Sequence, residues 1–140
     1  MEQKISKGLI FAGVFNILGV LALTKGFQDF SIGGYFPELF SVWGMLGVAL
    51  WGLGYLALAR RYWVAPELLV VFAAEKFFYF ASWCWWQWHN FAQLPTIWAD
   101  NPRAAIFYST YGPGDLAFGL FFLGLFLKVR ASKSARTPEA

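Results

Sequence analysis

Three ionisable side chains interrupt otherwise apolar stretches of the chain: Glu75 and Lys76 are adjacent within a run from Ala65 to Trp88, and Asp115 lies inside a second run. A lone charge in hydrocarbon costs about 2.5–3.5 kcal/mol by insertion scales, so each of these groups needs a partner or a purpose. Carboxylates and an amine so placed could pair, hold a ligand's polar group, or move a proton on an apolar substrate. At helical spacing, Glu75, Tyr79, Ser82 and Trp86 fall at i, i+4, i+7 and i+11, one polar and aromatic face. Tyr108, Tyr111 and Asp115 follow i, i+3 and i+7 in the last apolar run. Glu75, Tyr79, Ser82, Trp86 and Tyr111 are therefore the candidate ligand-binding residues.

Consecutive helical residues diverge by about 100°, so Glu75 and Lys76 are not expected to face each other. Lys76 sits about ten residues into its helix, roughly 15 Å from the surface, further than a lysine stem snorkels. Asp115 lies at a matching depth, counted back from Lys128. A structural ion pair between Lys76 and Asp115 is the expected outcome, with Glu75 turned toward Asn16, tyrosines or a cavity. Asn16, near the middle of the first apolar run, is expected to hydrogen-bond across a helix interface. Just before Asp115 stands Gly112-Pro113-Gly114, which predicts a kink or break; Asp115 would then cap the second half or face a midplane cavity, the cap being favoured.

The elements that must position these residues follow from composition. The 140 residues are 59% hydrophobic and only 14% charged, with 8 Trp and 16 Phe, and mean hydropathy is +0.50. A soluble domain of this size carries more charge. Four apolar segments, near 5–24, 39–59, 64–86 and 104–128, approach the roughly 20 residues a membrane helix needs. None alternates with period two, which excludes barrel strands. The predicted fold is all-α, an integral membrane four-helix bundle occupying residues 1–130. Residues 131–140, small, polar and basic, are expected to form a disordered cytoplasmic tail.

Lys4, Lys7, Arg60, Arg61, Lys128, Arg130, Lys133 and Arg136 flank one set of helix ends, whereas Lys25 and Arg103 are the only basic residues in the other loops. The positive-inside rule puts both termini in the cytoplasm of a multi-pass, inner-membrane protein. The first segment has no convincing small-x-small cleavage site and is expected to be retained. Basic charge thus reflects topology, and no nucleic-acid partner is expected.

In the second segment Ser41, Gly44, Gly47, Trp51 and Gly54 form a stripe of mostly small residues, read as a helix-packing face. Cys84 is the sole cysteine and is expected to pack in the interior. His89 is the sole histidine, which excludes a bis-histidine haem within one chain and leaves zinc or non-haem iron sites unsupported; no metal and no cofactor are expected. Nucleotide-binding and nucleophile-elbow motifs are absent. Trp83, Trp85, Trp86, Trp88 and Trp98 form an interfacial aromatic belt, with an aromatic pocket for a lipid, quinone or pigment as the alternative. A short interfacial helix is expected after Pro95.

Residues 51–60 (WGLGYLALAR), 72–79 (FAAEKFFY) and 111–119 (YGPGDLAFG) resemble small bacterial four-helix membrane proteins of the DoxX-like kind. That resemblance implies a four-helix inner-membrane bundle and carries over no functional residue. Three functions fit the chain. A non-catalytic accessory or structural subunit of a membrane complex, in contact with the bilayer and with other subunits or copies of itself, is favoured. A carrier or binder of an apolar or lipid-like molecule comes second, and an intramembrane acid–base isomerase third.

Overall fold

The computed structural model describes the backbone of residues 2–135 and the side chains of residues 5–135. Among these it is all-helical. Helix α1 spans Glu2–Leu23, the single turn α2 Pro37–Phe40, α3 Val42–Leu58, α4 Glu67–Asn90, α5 Leu94–Asp100 and α6 Pro102–Ser134, with short 3₁₀ turns at Ser31–Tyr35 and Phe91–Gln93. Helices α1, α4 and α6 are long and apolar enough to cross a membrane, and α3 is a shorter apolar helix of 17 residues.

Local chemistry sets the ends. After Leu23 the chain turns left-handed at Lys25 (φ 49°), Gly26 (φ 69°) and Phe27 (φ 65°). The Gly26 amide returns to the Leu21 carbonyl (2.8 Å) and the Lys25 amide to Ala22 (3.4 Å), closing the last turn of α1 in a Schellman pattern. Ser41 Oγ accepts the Gly44 amide to cap α3 (3.3 Å), and Asn101 Oδ1 accepts the Ala104 amide to cap α6 (3.2 Å). Prolines at the first turns of α2, α5 and α6 cost nothing there, because those amides lack helical partners anyway. The helix expected after Pro95 is α5, with Ile97 buried and Trp98 outward.

Helix α1 packs on α3 and α4 on α6, while α1 and α6 touch sparingly. Backbones meet where Gly13 and Gly52 face each other: a Cβ on Gly13 would lie 2.7 Å from the Gly52 carbonyl oxygen, and one on Gly52 2.8 Å from that of Gly13. This corrects the expected packing stripe of α3. Gly47 has open space beside it and Gly54 makes only ordinary contact with Phe72. The close approach passes through Gly52, on a different face, because that is where α1 also lacks a side chain.

Helix α6 is continuous through Pro113, so of the expected kink or break the break does not occur, and Asp115, inside the helix, is not a cap. Gly112 serves contact instead: a Cβ there would fall 2.2 Å from the indole of Trp83. In the turn before the proline, the Tyr108 carbonyl accepts bonds from Trp83 Nε1 (2.7 Å) and Gln87 Nε2 (2.8 Å). The helix also continues to Ser134, so residues 131–134 of the expected disordered tail are helical, since nothing in Ala131-Ser132-Lys133-Ser134 breaks the helix. Residues 136–140 of that tail lie outside the described residues.

Two apolar clusters form the core. One gathers Leu9, Ala12, Tyr55, Leu58, Leu69, Phe72, Phe122 and Leu125; the other gathers Val20, Ile32, Phe40, Met45, Trp86, Ile97 and Tyr108. Between them lie the polar groups: Asn16 on α1, Glu75 and Lys76 on α4, and Asp115 on α6.

Candidate functional site

The polar layer is built around the Lys76 ammonium, whose residue is 3% exposed. Its Nζ stands 2.8 Å from Asp115 Oδ1 and 3.2 Å from Asn16 Oδ1. It also lies 5.6 Å from the Tyr55 ring centroid and 5.9 Å from those of Tyr79 and Phe118. One cation thereby ties α1, α3, α4 and α6 together. Asn16 contributes twice, since its amide also donates to the Val48 carbonyl of α3 (3.3 Å).

Glu75 and Lys76 do approach each other, contrary to the expectation from helical phase: Nζ lies 3.7 Å from Oε1. The Cα–Cβ vectors diverge, but the lysine stem is long enough to fold back toward its neighbour. The other Glu75 oxygen accepts a hydrogen bond from the Tyr55 hydroxyl. Tyr55 is fully buried and was not singled out from sequence. The available signal was a phenol inside a glycine-rich apolar helix, where a buried hydroxyl requires a partner. Glu75 Oε1 and the Tyr111 hydroxyl are buried without a hydrogen-bond partner.

Beside this layer lies a cavity of about 410 Å³, within the size range of small-molecule sites. Its floor is Glu75, Lys76 and Tyr79, with Asp115 and Tyr111 on α6 and Asn16 and Gly19 on α1. Phe40, Met45, Val48 and Phe107 complete an apolar and aromatic wall. Phe107 and Tyr111 stack with centroids 4.9 Å apart, and Phe40 stands edge-on to them at 4.9 and 5.1 Å. The cavity opens sideways where α1 and α6 part, past Phe15 and Ile106, which are 54% and 53% exposed. On the side of Asp115 that gap is shut by Phe15 against Phe118 (5.6 Å).

Arg103 stands at the outer end of the cavity. Its guanidinium donates to the Leu23 carbonyl (3.0 Å) and to Asp29 Oδ2 (2.5 Å), and Lys25 adds a second ion pair to Asp29 (3.2 Å). The Ser31 hydrogen bonds, followed by Arg103 and Lys25, hold the Asp29 carboxyl well below the usual carboxylate range. At the same end Tyr35 donates to Asp100 (2.5 Å), which pushes its phenol up.

Of the candidate binding residues, Glu75, Tyr79 and Tyr111 meet at the cavity and Ser82 and Trp86 do not. Ser82 Oγ bonds the Phe78 carbonyl of its own helix (2.8 Å), the usual fate of a short hydroxyl within a helix. Trp86 shares the face but lies further along it, where the loop between α1 and α3 fills the space; it stacks on Tyr108 (4.5 Å) and donates to the Tyr35 carbonyl (3.1 Å). Cys84, expected to be a packing residue, is exposed on α4. The tryptophans divide likewise, with Trp86 buried and Trp85, Trp88 and Trp98 exposed.

Among the described residues no cluster of three or more His, Cys, Asp or Glu could hold a metal ion. Compared with family models, curated proteins and solved structures, the chain matches none of them.

Proposed function

We propose that this chain is a multi-pass inner-membrane protein, with both termini cytoplasmic, that binds a lipid-like small molecule in a cavity opening sideways into the bilayer. The observation that carries the reading is the cavity itself, apolar along its walls and floored by a fixed charge cluster with unpartnered oxygens. An accessory subunit needs helix faces for its partners but has no use for such a pocket, and the cavity therefore favours the binder. Exposed large apolar side chains on all four long helices, among them Phe11, Leu50, Val71 and Leu120, support the membrane setting. The basic residues at the other ends of the helices support the orientation. Burial of Lys76 and Asp115 as a pair explains how the bundle tolerates them, and leaves Glu75 and Tyr111 for the ligand.

Gly19 provides the test, because it lines the cavity and a Cβ added there meets nothing within 4 Å. Mass spectrometry of the protein purified in nanodiscs is expected to find a lipid-like molecule retained by the native chain. Gly19→Leu is expected to lose it while melting at the same temperature or higher, since Leu is also the better helix former by about 0.8 kcal/mol. Equal retention by the filled variant, or no retention by the native chain, overturns the reading.

A further inference from the structure

We infer that the ligand is a lipophilic amine bound as its ammonium ion, the head held at Glu75 and the tail leaving between α1 and α6. The inference rests on the cavity reading above and adds the chemistry of the ligand.

Charge balance points to it first. The buried layer holds two carboxylates, Glu75 and Asp115, and one ammonium, Lys76. Lys76 is committed to Asp115 at 2.8 Å and to Asn16 at 3.2 Å, and only approaches Glu75 at 3.7 Å. With both acids ionised, one negative charge is left in excess beside the cavity. An anionic head would add to that excess, whereas a cation cancels it. The second observation is independent of charge. Glu75 is a lining residue of the cavity and 8% exposed, and its Oε1 is buried with no hydrogen-bond donor. An ammonium supplies that donor, and the unpartnered Tyr111 hydroxyl oxygen can accept another of its protons.

The walls suit the same head. Phe40, Tyr79, Phe107 and Tyr111 line the cavity and present aromatic rings, a surface that attracts cations and that a carboxylate or phosphate gains nothing from. Arg103, the other cation at the cavity, is held by Asp29 and the Leu23 carbonyl and stands at the outer end, away from Glu75. An aliphatic tail would pass Gly19, Phe15 and Ile106 to reach the lipid.

Dodecylamine, dodecanol and dodecanoate share one tail and differ only in the head. Each is titrated against the intact protein in zwitterionic nanodiscs, with empty nanodiscs correcting for partition, and apparent affinity is read from the rise in melting temperature. The amine is expected to bind at least about tenfold more tightly than the alcohol, and the carboxylate least. Glu75→Gln, which keeps an acceptor for Tyr55, is expected to erase the amine's advantage over dodecanol. If that variant fails to melt cooperatively, Tyr111→Phe decides, and it must weaken the amine severalfold and the alcohol no more than that. Tighter binding of the alcohol or carboxylate, or an amine preference that survives Glu75→Gln, overturns the ammonium assignment and leaves the cavity reading standing. Binding of none of the three overturns both.

Discussion

At the scale of the residue, one lysine does the work of several contacts. Lys76 meets Asp115, Asn16 and Glu75 on three helices, and its stem is buried among the rings of Tyr55, Tyr79 and Phe118. Removing it leaves two carboxylates facing a low-dielectric interior, and breaking a buried pair from one side costs about 3–5 kcal/mol. Lys76→Met is therefore expected to lower thermal stability in nanodiscs strongly. Pairing it with Asp115→Leu should restore only part of the loss, because Glu75 stays uncompensated; adding Glu75→Gln should restore most of the rest. Full recovery in the double variant would remove Glu75 from the cluster. The depth of Lys76 and Asp115 in their helices made their pairing legible from sequence. The role of Tyr55 was not, because a single tyrosine in an apolar helix carries no periodic signal of what it meets.

At the scale of the element, the loop after α1 is tied to the start of α6 through Asp29 and Arg103, and this tie holds the outer rim of the cavity. The folded Asp29 carboxyl is held far below its ordinary value of 3.8, Ser31 contributing most and Arg103 and Lys25 next. An acid depressed in the folded state stabilises it above the unfolded pKa and loses that contribution as pH falls toward the folded one. The native chain is thus expected to melt higher than Asp29→Asn at neutral pH, with the gap narrowing as pH drops below about 3.8. A gap that widens in acid would contradict the assignment. The short helix at Pro95 was readable, because proline at a helix start acts locally. That α6 runs unbroken through Pro113 was not readable from a Gly-Pro-Gly stretch, and Gly112 is explained only by the indole of Trp83, on another helix, against it.

At the scale of the whole molecule, a polar layer lies between two apolar clusters, and most of the surface along the long helices is apolar. Cys84, the single cysteine of the chain, is exposed far along α4 from its first residue, with Trp85 and Trp88 nearby. In proteoliposomes it is expected to react with an apolar maleimide and to resist a charged one from either side, whereas detergent-denatured protein reacts with both. Equal labelling by the charged reagent in the intact bilayer would place this surface in water and refute the membrane setting.

What the sequence by itself determined is the material: apolar helices of near-membrane length, the charges and their depth along each helix, and the short helix after Pro95. These follow from hydrophobic period, run length and local capping, all of which act within a few turns of chain. The tertiary structure alone decided which faces meet and what is left between them. Gly13 against Gly52 sets the α1 and α3 contact, Trp83 against Gly112 seats α4 on α6, and α1 and α6 part above Phe15 and Phe118 to leave the cavity. Such choices depend on side-chain volumes matched between distant segments, and a void is the sum of many such matches, carried by no single stretch of sequence.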